Sequence, residues 1–241
     1  MSRNLILAII LLIASSFFWS GNFFSGKIAF LSDLTPFKLS FFRWILALLI
    51  LLPFTYAQII KDLEYYKKNI LLMTVISILG VTIFNSFTYI SLQTTMVINS
   101  TLMASVAPVM MIGFSWLIFR TKTTTLQFTG IVLSLLGAFA IVLKGNLNNL
   151  YNLYFTAGDL WMLAAVVSWC LYSVLLKKID SKTSQLANLE VMIIIGVIFI
   201  TPFYIIESFN TTYLPSTGLD FAIIGYVAVF ASIVAFFSWN K

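Results

Sequence analysis

Residues 14–28, ASSFFWSGNFFSGKI, return in altered form at 164–178, AAVVSWCLYSVLLKK, with Ala14 over Ala164, Trp19 over Trp169 and Lys27 over Lys177. Three identities in fifteen positions are close to chance for apolar sequence, so the order of the surrounding segments must carry the argument. Downstream, Pro53-Phe54 recurs as Pro202-Phe203 at an offset of 149, nearly the offset of the first echo. A hydrophobic chain built from two such copies is expected to hold a solute site between them.

The composition demands a lipid environment. Of 241 residues 61% are apolar and 9% charged, and the mean hydropathy is +1.02, far outside the range of soluble domains. A span needs about 20 apolar residues, and the pattern predicts eight, at 4–27, 36–57, 70–92, 97–118, 126–143, 158–176, 187–206 and 219–239. The apolar run that follows Arg3 continues through Trp19 to about residue 28 and matches an internal segment, which a cleaved leader would not do. The spans lack the period of two that a membrane β-barrel requires. The predicted fold class is an all-α integral membrane protein.

The formal charge of +6 comes from residues clustered in short connectors, which points to orientation in a membrane and away from nucleic acid. Counted on alternate sides, Arg3, Lys61, Lys67, Lys68, Arg120, Lys122, Lys177, Lys178, Lys182 and Lys241 face Lys27, Lys38 and Lys144, ten against three. This puts the N-terminus in the cytoplasm of a multi-pass protein of the cell (inner) membrane. With no histidine, the chain offers no Ser-His pair, no HExxH zinc helix and no histidine-ligated haem. Neither a cofactor, a metal nor an enzymatic activity is expected. Cys170 is the single cysteine, so no intrachain disulfide forms.

On the eight spans, the first overlays the sixth, the second the seventh and the third the eighth. Five helices separate the copies, so they run inverted. Several motifs in this order resemble the EamA-type branch of the drug/metabolite transporter superfamily: Ser16-Phe17-Phe18-Trp19-Ser20-Gly21-Asn22-Phe23, Thr35-Pro36 followed by Phe41-Phe42-Arg43-Trp44, and Ala107-Pro108-Val109. Gln127-Phe128-Thr129-Gly130 with Gly137, Gly158-Asp159-Leu160 with Trp169, and Ala235-Phe236-Phe237-Ser238-Trp239-Asn240-Lys241 continue the likeness. The resemblance implies ten helices in two inverted five-helix repeats, here a first repeat at 1–145 and an incomplete second at 157–241. It also implies a Gly-Glu pair after the fourth helix, where this chain has Arg120-Thr121. Partners for helices four and five would begin after Lys241, so the chain reads as a C-terminally truncated member.

Polar groups within spans are costly and hence candidates for function. Trp19, Asn22 and Phe23 share a face of the first span, either as an aromatic wall with an amide for a solute or as packing; Trp169 and Tyr172 match them in the sixth. Asn85 and Tyr89 lie four apart and share a face, and Asn99 opens the next span. Gln93-Thr94-Thr95 reads as an external turn. Arg43 lies roughly 10 Å into its span at 1.5 Å per residue; it either attracts an anionic solute or locks helices together, and the resemblance favours the lock. Glu190, the lone acid within a span, reads as an interfacial carboxylate and the one residue for possible coupling to protons. Lys27 and Lys177 sit at matching helix ends as anchors. Gly130, Ser134 and Gly137 form a small-residue stripe for packing within the chain or in a homodimer. The sequons at Asn99 and Asn210 are discounted.

These features together predict a permease or exporter of a small metabolite, such as an amino acid, by alternating access, as a facilitator or proton-coupled. The partners are the lipid bilayer and the solute. A truncated, non-transporting membrane protein is one alternative. The other, a translocator of lipid-linked or nucleotide-linked sugar, predicts more fixed positive charge than Arg43 alone.

Overall fold

The computed structural model describes residues 3–122, 124–142, 156–180 and 182–240; Lys144, Lys241 and the segment joining the two predicted repeats lie outside the described residues. Eight apolar helices follow in order: α1 (Arg3–Leu31), α2 (Pro36–Lys61), α3 (Ile70–Thr94), α4 (Val97–Phe119), α5 (Thr125–Val142), α6 (Ala157–Leu175), α7 (Gln185–Asn210) and α8 (Gly218–Asn240). Among the described residues there is no strand, and seven helices are long and apolar enough to cross a membrane; α5 is apolar but shorter. A short helix, Leu63–Lys68, connects α2 to α3.

Local signals set the helix starts. Pro36 begins α2 after extended Thr35, where a missing N–H costs nothing. Thr156 with Asp159 and Thr217 with Asp220 form reciprocal capping boxes at α6 and α8. Pro108 withholds its N–H within α4, which breaks at Val106 into Val97–Ser105 and Ala107–Phe119. At the far end of α4, Arg120 takes a left-handed conformation with φ 56°.

Two π-helical turns interrupt α3 and α8, at Ile78–Ile83 and Val227–Val234. Their starts are 149 residues apart, the offset that also relates Pro53 in α2 to Pro202 in α7. Such turns release backbone carbonyls from the helical ladder, and both are used at the site described below.

α2 packs along α7, α3 along α6, and α1 along α8. The core lies where these six helices meet: one cluster holds Trp44, Met73, Ile76, Trp169, Tyr172, Ile193 and Phe236, the other Phe23, Leu39, Tyr89, Leu92, Met162 and Val227. α4 leans on α6, and α5 touches the first half of α4. Outward-facing Leu126, Phe128 and Leu133 on α5 and Phe17 and Phe24 on α1 are exposed, as suits contact with lipid tails.

Two local expectations change. The helix of α3 runs through Gln93 and Thr94, leaving Thr95 and Met96 as the turn. The stripe on α5 does not pack within the chain, since a side-chain carbon added at Gly130 or Gly137 would meet nothing within 4 Å. Among the described residues, the main contact of α5 is with the first half of α4.

Candidate functional site: a buried arginine under an aromatic layer

Arg43 sits in α2, fully buried, beside the π-helical turn of α8. Its Nε donates to Ser232 Oγ on α8 at 2.8 Å, and its Nη1 donates to Asn22 Oδ1 on α1 at 3.0 Å and Asn85 Oδ1 on α3 at 2.9 Å. Nη1 also bonds the Tyr89 hydroxyl, which donates to Asn22 Oδ1 at 2.7 Å. The released carbonyls orient two of these partners: Asn85 Nδ2 donates to Gly80 O at 3.0 Å, and Ser232 Oγ to Val227 O at 2.9 Å. One guanidinium therefore joins four helices, and all four of its partners are neutral. Among the described residues no carboxylate bonds this guanidinium; its charge lies over the Trp44 and Tyr89 rings, 4.9 and 5.7 Å from their centroids, and its buried Nη2 keeps a donor without a hydrogen-bond partner.

An aromatic layer lies against this cluster. Trp19 meets Trp169 edge to face with ring centroids 4.8 Å apart, and both contact Phe236 and Trp239. The Trp19 Nε1 donates to Ala231 O at 3.1 Å, next to Ser232. The Tyr172 ring packs on Trp169 and over Gly80, where a Cβ would collide with it. The Tyr172 hydroxyl donates to Asn240 Oδ1 at 3.0 Å, and Trp239 Nε1 to Ser173 Oγ at 3.1 Å.

Beyond Trp239, on the amino-terminal side, opens a cavity of about 650 Å³ between α1, α4, α5, α6 and α8. That size accommodates a small organic solute.

The opposite side is closed by hydrogen bonds. Glu207, near the end of α7, accepts from Thr35 Oγ1 at 2.6 Å and from the Lys38 backbone N–H at 2.9 Å, a carboxylate at the start of a helix where the dipole favours it. Lys38 Nζ donates to Thr211 O at 2.7 Å and Tyr213 O at 2.6 Å. Lys27 Nζ donates to Leu92 O at 2.7 Å, and Thr95 Oγ1 to Asp159 Oδ1 at 2.6 Å. The Tyr213 phenol donates to Asp220 Oδ2 at 2.6 Å, and this bond holds its pKa above the ordinary tyrosine value.

Of the residues singled out in the sequence, Asn22, Arg43, Asn85 and Tyr89 converge on one cluster, and Trp19, Trp169 and Tyr172 form the adjoining layer. Phe23 packs in the second core cluster. Asn99 is half-buried on α4. Glu190 differs from its expected place at the interface: it is 0% exposed and both carboxylate oxygens are buried without a partner. α7 is covered by α2 and α3 along this stretch, which draws its first turns into the interior. The sequence reading missed Ser232 and the interior role of Lys38; an isolated serine in an apolar run and a lysine two residues past Pro36 are the available signals.

The profile of the EamA-like transporter family matches residues 6–143 and again 156–241. An uncharacterized transporter of Archaeoglobus fulgidus is 26% identical over 246 residues, covering 98% of this chain and 78% of the relative. The uncharacterized transporters YetK and YyaM of Bacillus subtilis are 27% and 24% identical, covering 72% and 73% of this chain. The matched stretches span 52% and 57% of those two relatives, about half their length. A crystal structure of a protein with 17% identity superposes with a TM-score of 0.67 over 99% of this chain and 79% of its own, a likeness of fold.

Proposed function

Because the chain belongs to the EamA-like transporter family, we propose that it is a cell-membrane permease for a small organic solute such as an amino acid, working by alternating access between two inverted repeats. The observation that carries this reading is the Asn22-Arg43-Asn85-Tyr89 cluster, shut between an aromatic layer and a hydrogen-bonded closure. A polar interior enclosed on both sides has the form of an occluded solute site. The cavity of about 650 Å³ lies on the amino-terminal side, and the lysine and arginine distribution supports a cytoplasmic placement of that side. Opening toward the cytoplasm then needs Trp239 and Trp19 to move, and opening outward needs the Lys38 and Glu207 bonds to break.

Facilitated transport is the first reading. Coupling to protons is the second, and the specific support for it is Glu190, an interior carboxyl with no hydrogen-bond partner. Cysteine labelling tests the access cycle: in a Cys170→Ala background, Asn22→Cys is expected to react with a membrane-impermeant maleimide from each side in turn, at rates that solute alters. A rate indistinguishable from zero from both sides, under every condition, counts against it.

A further inference from the structure

We propose that the cavity on the amino-terminal side is a binding site for an organic carboxylate with an apolar body. The mouth carries Lys122 and Lys177, both exposed, and the lining contains no acidic residue among the described ones. Exposed like charges around a concave site concentrate anions there and repel cations. Asn240 also lines the cavity, and its Oδ1 accepts from the Tyr172 hydroxyl. Trp239 and Met111 supply an apolar surface beside these groups. Two ammonium groups at the mouth of a cavity of mixed polar and apolar lining match a carboxylate, whereas an amine would meet two positive charges and no acceptor of opposite charge.

The same preference extends inward under the permease reading, on which this part of the inference rests. Past the aromatic layer the next cation is Arg43, whose Nη2 has no partner. A solute moving from the lysines to the guanidinium would exchange one cationic contact for another. From the cavity mouth inward to the guanidinium, the fixed positive charge thus comprises Lys122, Lys177 and Arg43, where the sequence pointed to Arg43 alone.

The test uses one apolar body with three head groups: 4-phenylbutyrate, its neutral amide and 4-phenylbutylamine, titrated calorimetrically at pH 7 into the purified chain in an uncharged detergent. The carboxylate is expected to bind roughly tenfold or more tighter than the amide, with the amine weakest. Lys122→Gln with Lys177→Gln is expected to remove most of that preference, and since both side chains are exposed the doubly substituted chain should unfold as the parent does. Equal binding of the three probes, preference for the amine, or no binding at all overturns the proposal. A carboxylate preference unchanged in the doubly substituted chain overturns its assignment to this cavity. Displacement of 4-phenylbutyrate by phosphatidylglycerol but not by phosphatidylcholine would assign the site to a lipid headgroup and overturn the solute. Flux is measured separately: a carboxylate that binds as expected but is not moved overturns the permease reading and leaves the anion site standing.

Discussion

Trp19 and Trp169, equivalent positions of the two repeats by sequence, touch edge to face with ring centroids 4.8 Å apart. Under the proposed inverted-repeat arrangement, such a contact lies close to the axis that relates the copies. Edge-to-face aromatic pairs contribute about 0.5–1.5 kcal/mol beyond their buried area. A double-mutant cycle of Trp19→Leu and Trp169→Leu, read by reversible unfolding in detergent, should return a coupling in that range. A coupling of zero would mean that the two rings pack independently.

Arg43 is held by donation to Ser232, Asn22, Asn85 and Tyr89 together. A lysine ammonium cannot reproduce the planar fork that spans these partners. Arg43→Lys is therefore expected to lower the unfolding free energy by about 2–3 kcal/mol, the cost of leaving buried acceptors unsatisfied. Unchanged stability would contradict the role assigned to the network.

How far the sequence led to this cluster depends on which relation is meant. Asn22, Arg43, Asn85 and Tyr89 each stand out as polar residues in apolar runs, and the spacing of four between Asn85 and Tyr89 places them on one face. Their convergence is a matter of register between helices, which spacing within one helix does not encode. The π-helical turns leave no mark in the pattern, so the carbonyls that orient Asn85 and Ser232 were not legible. The eight apolar segments were legible because lipid imposes length and composition directly. The α5 stripe misled for the converse reason: Gly130 and Gly137 permit a close approach that no neighbouring helix makes.

Gly80 lies in the first π-helical turn, where the Tyr172 ring occupies the position a Cβ would take. Gly80→Ala is expected to destabilise the protein by about 1–3 kcal/mol through overpacking. Tyr172→Leu should relieve part of that cost in the combined variant, as measured by the same unfolding assay. Additive losses would show that the two residues do not share the space.

The bonds from Lys38 to Thr211 and Tyr213 close the side opposite the amino terminus. Lys38→Met is expected to shift the population toward the outward-open form, raising maleimide labelling of Asn22→Cys from that side several-fold. Alkaline pH should loosen the same closure. Tyr213 has its pKa raised by its bond to Asp220, so that bond contributes below the unfolded value of about 10 and is lost as pH rises through the higher folded value. Labelling that falls as pH rises would contradict this.

Glu190 has no hydrogen-bond partner to lose. Glu190→Leu should stabilise the fold by about 1–3 kcal/mol by removing an uncompensated polar group from the interior. Under the proton-coupled reading, Glu190→Gln abolishes pH-driven flux while leaving equilibrium exchange of solute intact; under the facilitator reading, both persist.

The most direct measurement is solute flux by the purified 241-residue chain in liposomes of defined lipid. A saturable rate is expected for a small organic anion, reduced at least tenfold by Arg43→Gln in protein that remains folded. A rate that rises linearly with concentration and equals that of protein-free liposomes would contradict that expectation.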